Sequence, residues 1–186
     1  MKETTVHATS NRFLALVTVA AAASIAAASV AAQDFPKRKS GLWEIRTSPT
    51  TGAEAKARSA GADLQMCIDE KTDNAMQQQT AGMTRQSCSR QDMKKSGGQT
   101  IVDSVCTFGD TTATTHSVFT GSFDSSYRVE TRSTYEPPLS GMKEGGAVIE
   151  AKWLGPCKPD QRPGDMILGN GMKINMNDLK AAPKGK

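Results

Sequence analysis

Along most of this chain, apolar and polar residues alternate with a period of two, the signature of half-buried strands. In Gly41–Arg46 (GLWEIR), Trp43 and Ile45 share one face and Glu44 and Arg46 the other. Leu64, Met66 and Ile68 alternate through Ala62–Ile68, and Val102, Ser104, Cys106 and Phe108 through Thr100–Phe108. Thr112–Phe123 is Thr- and Ser-rich, with Phe119 and Phe123 on one side. After a turn at Asp124-Ser125, Tyr127–Tyr135 sets Tyr127, Val129 and Tyr135 against Arg128, Glu130 and Arg132, and Ala147–Leu154 sets Ile149, Ala151 and Trp153 against Glu150 and Lys152.

The alternation breaks in a few places. Ser48–Gly52 reads as a turn, and Ala53–Arg58 as loop or edge strand. Over Asp69–Ala81 the pattern predicts a short, weakly packed helix: Asp69 is an N-cap, Glu70 suits the helix dipole and Gly82 is a stop. Only Ala75 and Met76 are apolar inside it, so an ordered loop is the competing reading. From Met83 the text becomes β. Glu136–Gly146 (EPPLSGMKEGG) reads as a mobile, exposed loop. Gln33–Ser40 reads as a flexible lead-in, Asp165–Asn177 as an arm with a turn at Gly169-Asn170-Gly171, and Lys180–Lys186 as disordered.

Successive strands with short connections predict a mainly β fold: an antiparallel meander forming a curled sheet or partly open barrel, with one short helix and two disulfides. No βαβ crossover is visible. Ser96-Gly97-Gly98 centres a hairpin that brings Cys88 within one residue of facing Cys106, and cross-strand Cα separations of about 4.5–5.5 Å accept a disulfide. That leaves Cys67 with Cys157. Aromatics make up only 5% of the chain, so the core is thin and covalent support matters. Free buried thiols are the competing reading.

The N-terminus changes the setting. Lys2 and Arg12 precede an Ala/Val/Leu-rich run over Phe13–Val30, and Val30-Ala31-Ala32 supplies small residues for cleavage after Ala32. This is the layout of a signal peptide, with a single membrane anchor as the alternative. The expected organisation is a signal peptide over 1–32, a lead-in over 33–40, a β-rich domain over 41–157 and an arm over 158–186. The expected location is periplasmic or secreted, where paired cysteines form disulfides. A net charge of +4 is mild, and only Lys37-Arg38-Lys39 and Lys94-Lys95 cluster, which argues against a nucleic-acid partner.

Catalytic chemistry finds little footing. Once His7 leaves with the leader, His116 is the one histidine, and no nucleophile elbow accompanies it. There is no Cys-x-x-Cys pair, and Met172 and Met176 offer a soft-metal pair without a neighbouring His or Cys. Asp69/Glu70 and Asp103/Asp110 fit capping and solvent exposure better than hydrolysis. No phosphate loop, cofactor motif or catalytic set is predicted. The expectation is a non-enzymatic binding module whose concave aromatic face, Phe119, Tyr127, Tyr135 and Trp153, takes a small apolar ligand or lipid. The alternative is an envelope-protein partner engaged through the 136–146 loop or the C-terminal arm.

Several landmarks together carry a resemblance. They are Gly41-Leu42-Trp43-Glu44, Met66-Cys67-Ile68 before an acidic helix start, the strand cysteines Cys88 and Cys106, Trp153-Leu154-Gly155-Pro156-Cys157, and Gly164-Asp165-Met166. In these the chain resembles the bacterial domain of unknown function family 3617. The resemblance implies a small exported protein and supplies no catalytic residues to carry over. Where that family usually caps its helix with Thr or Ser, this chain has Asp69.

Overall fold

The computed structural model describes residues 35–51 and 62–181. The expected signal peptide over 1–32, the Ala53–Arg58 segment and most of the Lys180–Lys186 tail lie outside the described residues. Nine strands form a single open sheet: β1 (Gly41–Pro49), β2 (Ala62–Ile68), β3 (Cys88–Ser96), β4 (Gln99–Phe108), β5 (Thr111–Ser122), β6 (Ser126–Leu139), β7 (Met142–Gly155), β8 (Asp165–Leu168) and β9 (Lys173–Asn175). Among the described residues two helices accompany them, α1 (Glu70–Ser87) and α2 (Met176–Ala181). The strand order is β3-β4-β5-β6-β7-β1-β2-β8-β9, and neighbours pair antiparallel throughout.

β3 to β7 follow one another as a meander. The first two strands do not extend that meander from its β3 edge. β1 sits between β7 and β2, with Thr47 opposite Ile149 on one side and Ala62 on the other. Trp43 is thereby flanked by Trp153 and Met66 and is fully buried at 0% exposure. Around it pack Met66, Ile68 and Ala151, with Ile45, Leu64 and Met166 completing the apolar mass. Gly41 makes this packing possible: it has φ +137°, and a Cβ there would lie 2.4 Å from both the Trp153 indole nitrogen and the Gly155 carbonyl oxygen.

The strand order also explains the helix. The connection from β2 to β3 must cross six places of the sheet, a flat distance of about 29 Å at about 4.8 Å per strand. α1 has 18 residues and is about 27 Å long. A helix ending at Ala81 falls well short, so Gly82 is not a stop and strand structure begins at Cys88 rather than Met83. Gly82 costs about 1 kcal/mol of helix propensity. The N-terminus is as expected: Asp69 caps it, accepting from the Thr72 N–H at 2.7 Å. Bonds from the Thr72 hydroxyl and amide hold the Asp69 carboxyl below its ordinary range.

Two disulfides bracket α1, Cys67–Cys157 just before it and Cys88–Cys106 at its end. Cys88 and Cys106 are direct cross-strand partners. The predicted 136–146 loop is instead a hairpin. β6 and β7 run on to a tight turn at Ser140-Gly141, with Thr134 opposite Glu144 and Leu139 opposite Met142. The two prolines fall where the β6–β7 register shifts, between Thr134 and Leu139, so they remove no ladder bond there. The C-terminal arm continues the sheet. β8 pairs with β2 and β9 with β8, and the Gly169–Gly171 turn joins them.

Candidate functional site

Residues 35–40, expected to be flexible, are held against the face of the sheet that α1 covers. The Arg38 backbone N–H and guanidinium Nε donate to the two Asp73 oxygens at 3.1 and 2.8 Å, and Nη2 lies 2.7 Å from Oδ1. The Trp43 indole donates to the Lys39 carbonyl at 2.8 Å and the Trp153 indole to the Ser40 carbonyl at 3.1 Å. Lys39 Nζ stands 3.8 Å from the centre of the Trp153 ring. These ties convert a polar segment ahead of β1 into one wall of a site.

Between that wall, α1 and the sheet lies an apolar cleft of about 450 Å³. Phe35 and Met76 line one side; Phe119, Phe123, Val129 and Ile149 line the other. The strand register brings the sheet residues together, because Phe119 faces Val129 and Val129 faces Ile149 across three adjacent strands. Phe35 meets Phe119 with ring centres 5.7 Å apart, and Phe123 stacks on Tyr127 at 4.5 Å. Arg38, Asp73, Gln77 and Thr80 supply polar groups on the helix and lead-in side, and the Ser117–Thr131 hydroxyl pair does so on the sheet. Burial pushes the Tyr127 hydroxyl above its ordinary pKa, against the opposing pull of Arg38, so it stays a proton donor.

Of the four expected ligand residues, the structure brings Phe119 and Tyr127 into this cleft and places Tyr135 and Trp153 elsewhere. Tyr135 lies across Gly145, where an added Cβ would meet its hydroxyl at 2.6 Å. Trp153 closes the Trp43 core and anchors the lead-in. Phe35, Arg38 and Met76 were missed as site residues, because they belong to segments read as flexible or weakly packed. Arg38 within the Lys37-Arg38-Lys39 cluster was the available signal, and only the buried Asp73 gives it meaning.

The remaining candidates separate. His116 Nδ1 lies 2.7 Å from Asp103 Oδ1 on the opposite, exposed face. They line a hollow of about 750 Å³ with Arg90, Arg132 and Glu144. Asp110 is exposed in the turn after β4. Met176 packs against the core while Met172 is exposed, so they do not act as a pair. Among the described residues no three His, Cys, Asp or Glu side chains gather as metal ligands, and no helix is long and apolar enough to cross a membrane.

The C-terminal hairpin is organised by Asp165, buried between Asn175 and Lys173 at 2.7 and 3.1 Å. Burial pushes its carboxyl up. Bonds from Asn175, the Arg162 N–H and Lys173 outweigh that and hold it at about 2.

A family model described as Protein of unknown function (DUF3617) matches residues 38–157. The matched span begins at Arg38 and ends at Cys157. No curated protein and no solved structure matches the chain.

Proposed function

The chain belongs to the DUF3617 family, and from that premise we propose that it is an exported, non-enzymatic binding module for a small apolar ligand or lipid. The observation that carries this reading is the cleft beneath α1, about 450 Å³ in volume and so within the usual range for small-molecule sites. Its wall is aromatic and aliphatic, with its charged groups confined to the Arg38–Asp73 pair. Two disulfides, with no free cysteine among the described residues, fit an oxidising compartment, as does the apolar run before Ala32.

Native mass spectrometry of protein purified from the periplasm without denaturation tests both halves of the reading. Cleavage after Ala32 and a reproducible additional mass are expected. A bare chain that also fails to take up a neutral hydrophobic dye sinks the binding half, and an unprocessed mass sinks the export half.

One observation favours a second reading, a protein-interaction role for the β6–β7 hairpin. Leu139 and Met142 at its tip are 36% and 40% exposed. Deleting the tip, residues 136–143, should then abolish capture of an envelope partner in cross-linking while leaving dye uptake intact.

A further inference from the structure

The charged groups that line the cleft, Arg38 and Asp73, form one cluster with an internal balance of charge, apart from the neutral Ser117–Thr131 hydroxyl pair on the sheet. Arg38 and Asp73 are 14% and 3% exposed, and the guanidinium holds the carboxylate through two of its nitrogens. Gln77 Nε2 donates to Asp73 Oδ2 at 3.1 Å, and Arg38 Nη2 reaches the Met76 sulfur at 3.7 Å. Among the described residues, the cation that lines this end of the cleft, Arg38, is therefore already matched by an anion at contact.

Resting on the reading of the cleft as a ligand site, we infer that it selects an uncharged amphiphile, such as a long-chain alcohol, ester or amide, and discriminates against ionised heads of either sign. A guanidinium has five N–H donors, so Asp73 does not exhaust Arg38. A neutral head oxygen accepts from the remainder, or from the protonated Tyr127 hydroxyl, without disturbing the pair. A carboxylate or phosphate head puts a second anion on a guanidinium that Asp73 already neutralises. An ammonium head faces Arg38 instead. Burying an unmatched charge is strongly unfavourable, whereas a hydrogen-bonded neutral group is close to break-even. The alkyl chain lies along Phe119, Val129 and Ile149.

The test uses the processed full chain with Nile red as a neutral reporter, displaced by dodecanol, dodecanoate or dodecylammonium near neutral pH. Because the three partition differently from water, the reading is how their ratios change between variants. Asp73→Asn leaves Arg38 unmatched, and the dodecanoate-to-dodecanol preference should rise at least about tenfold. The double variant Arg38→Gln/Asp73→Asn should return that ratio towards wild type. Arg38→Gln alone leaves the carboxylate unmatched and should shift preference towards dodecylammonium, which keeps the inference testable if Asp73→Asn does not fold. Ratios unchanged in the folded variants, or wild-type protein that prefers dodecanoate to dodecanol, overturn the head-group inference alone. Failure of wild-type protein to take up Nile red removes the cleft reading beneath it.

Discussion

The two halves of the sheet are built from different materials. At the end holding β7, β1, β2 and β8, the inner face carries Trp43, Met66, Ile68, Trp153 and Met166 in one dry mass. At the end holding β3, β4 and β5, the buried apolar residues are small ones, Val102, Cys106 and Ala113. Hydroxyls fill much of the rest, satisfied by one another: Thr115 with Ser133 at 2.8 Å and Ser117 with Thr131 at 3.0 Å. The first half provides mass to bury; the second provides a platform over which α1 is suspended with few apolar anchors. The cleft lies along the seam, where Phe119, Val129 and Ile149 present apolar surface that the helix does not fill. Apolar mass is thus concentrated at one end of the sheet, and the unfilled cleft begins where that mass thins out.

The sharpest way to break this comparison is through the disulfides, one in each half. Cys67–Cys157 closes a 90-residue separation and Cys88–Cys106 one of 18; in the chain-entropy model these contribute about 4–5 and about 3 kcal/mol. Replacing Cys67 and Cys157 by Ser should lower the urea midpoint throughout the molecule. Replacing Cys88 and Cys106 should cost less and strip hydrogen-exchange protection from β3 and the end of α1 first. Equal, global losses from both pairs would erase the distinction. Trp43→Ala comes next, at about 3–5 kcal/mol of unfolding free energy. A cost below about 1 kcal/mol would mean that the dry half is not where stability resides.

Acid gives a smaller effect. A carboxyl held below its ordinary value contributes stability that is full above about pH 4 and lost as pH falls through its folded value. For Asp165, held at about 2, that is roughly 2 kcal/mol lost between about pH 4 and pH 2. Asp165→Asn should flatten that part of the pH–stability curve. The smallest effect on stability is expected at Phe119→Ala, about 1 kcal/mol because the ring faces a cleft rather than a filled core. Nile red uptake should nonetheless fall severalfold. A large stability loss there would make Phe119 core and the cleft incidental.

Most strands were legible because each has one wet face: Tyr127–Tyr135 and Ala147–Leu154 alternate cleanly, and the Gly97-Gly98 turn fixed the Cys88–Cys106 pairing. What escaped depended on distant partners. Glu136–Gly146 looked like a loop because Pro and Gly are strand breakers on average, yet its prolines sit where the ladder is already irregular. Gly82 looked like a helix stop because nothing local announces that β3 lies across the sheet. The site was half legible. Phe119 and Tyr127 could be placed on the covered face by parity, while Phe35 and Arg38 gain their positions only through Asp73, whose burial no local pattern reveals.

The placement of β1 between β2 and β7 has a consequence for the order in which this chain is made. Trp43 is among the first core residues to leave the ribosome, yet its second flank, β7, and the cysteine that closes its half, Cys157, emerge about a hundred residues later. If the chain is exported as proposed, Cys67 and Cys88 are in that interval the first two thiols to meet oxidant, and they are not partners. An early 67–88 crosslink must be undone by thiol–disulfide exchange before either native bridge can form. The local 88–106 hairpin is the protection against it. By taking up Cys88 as soon as β4 arrives, it leaves Cys67 a single destination and turns a strand order that delays folding into one that still guides it.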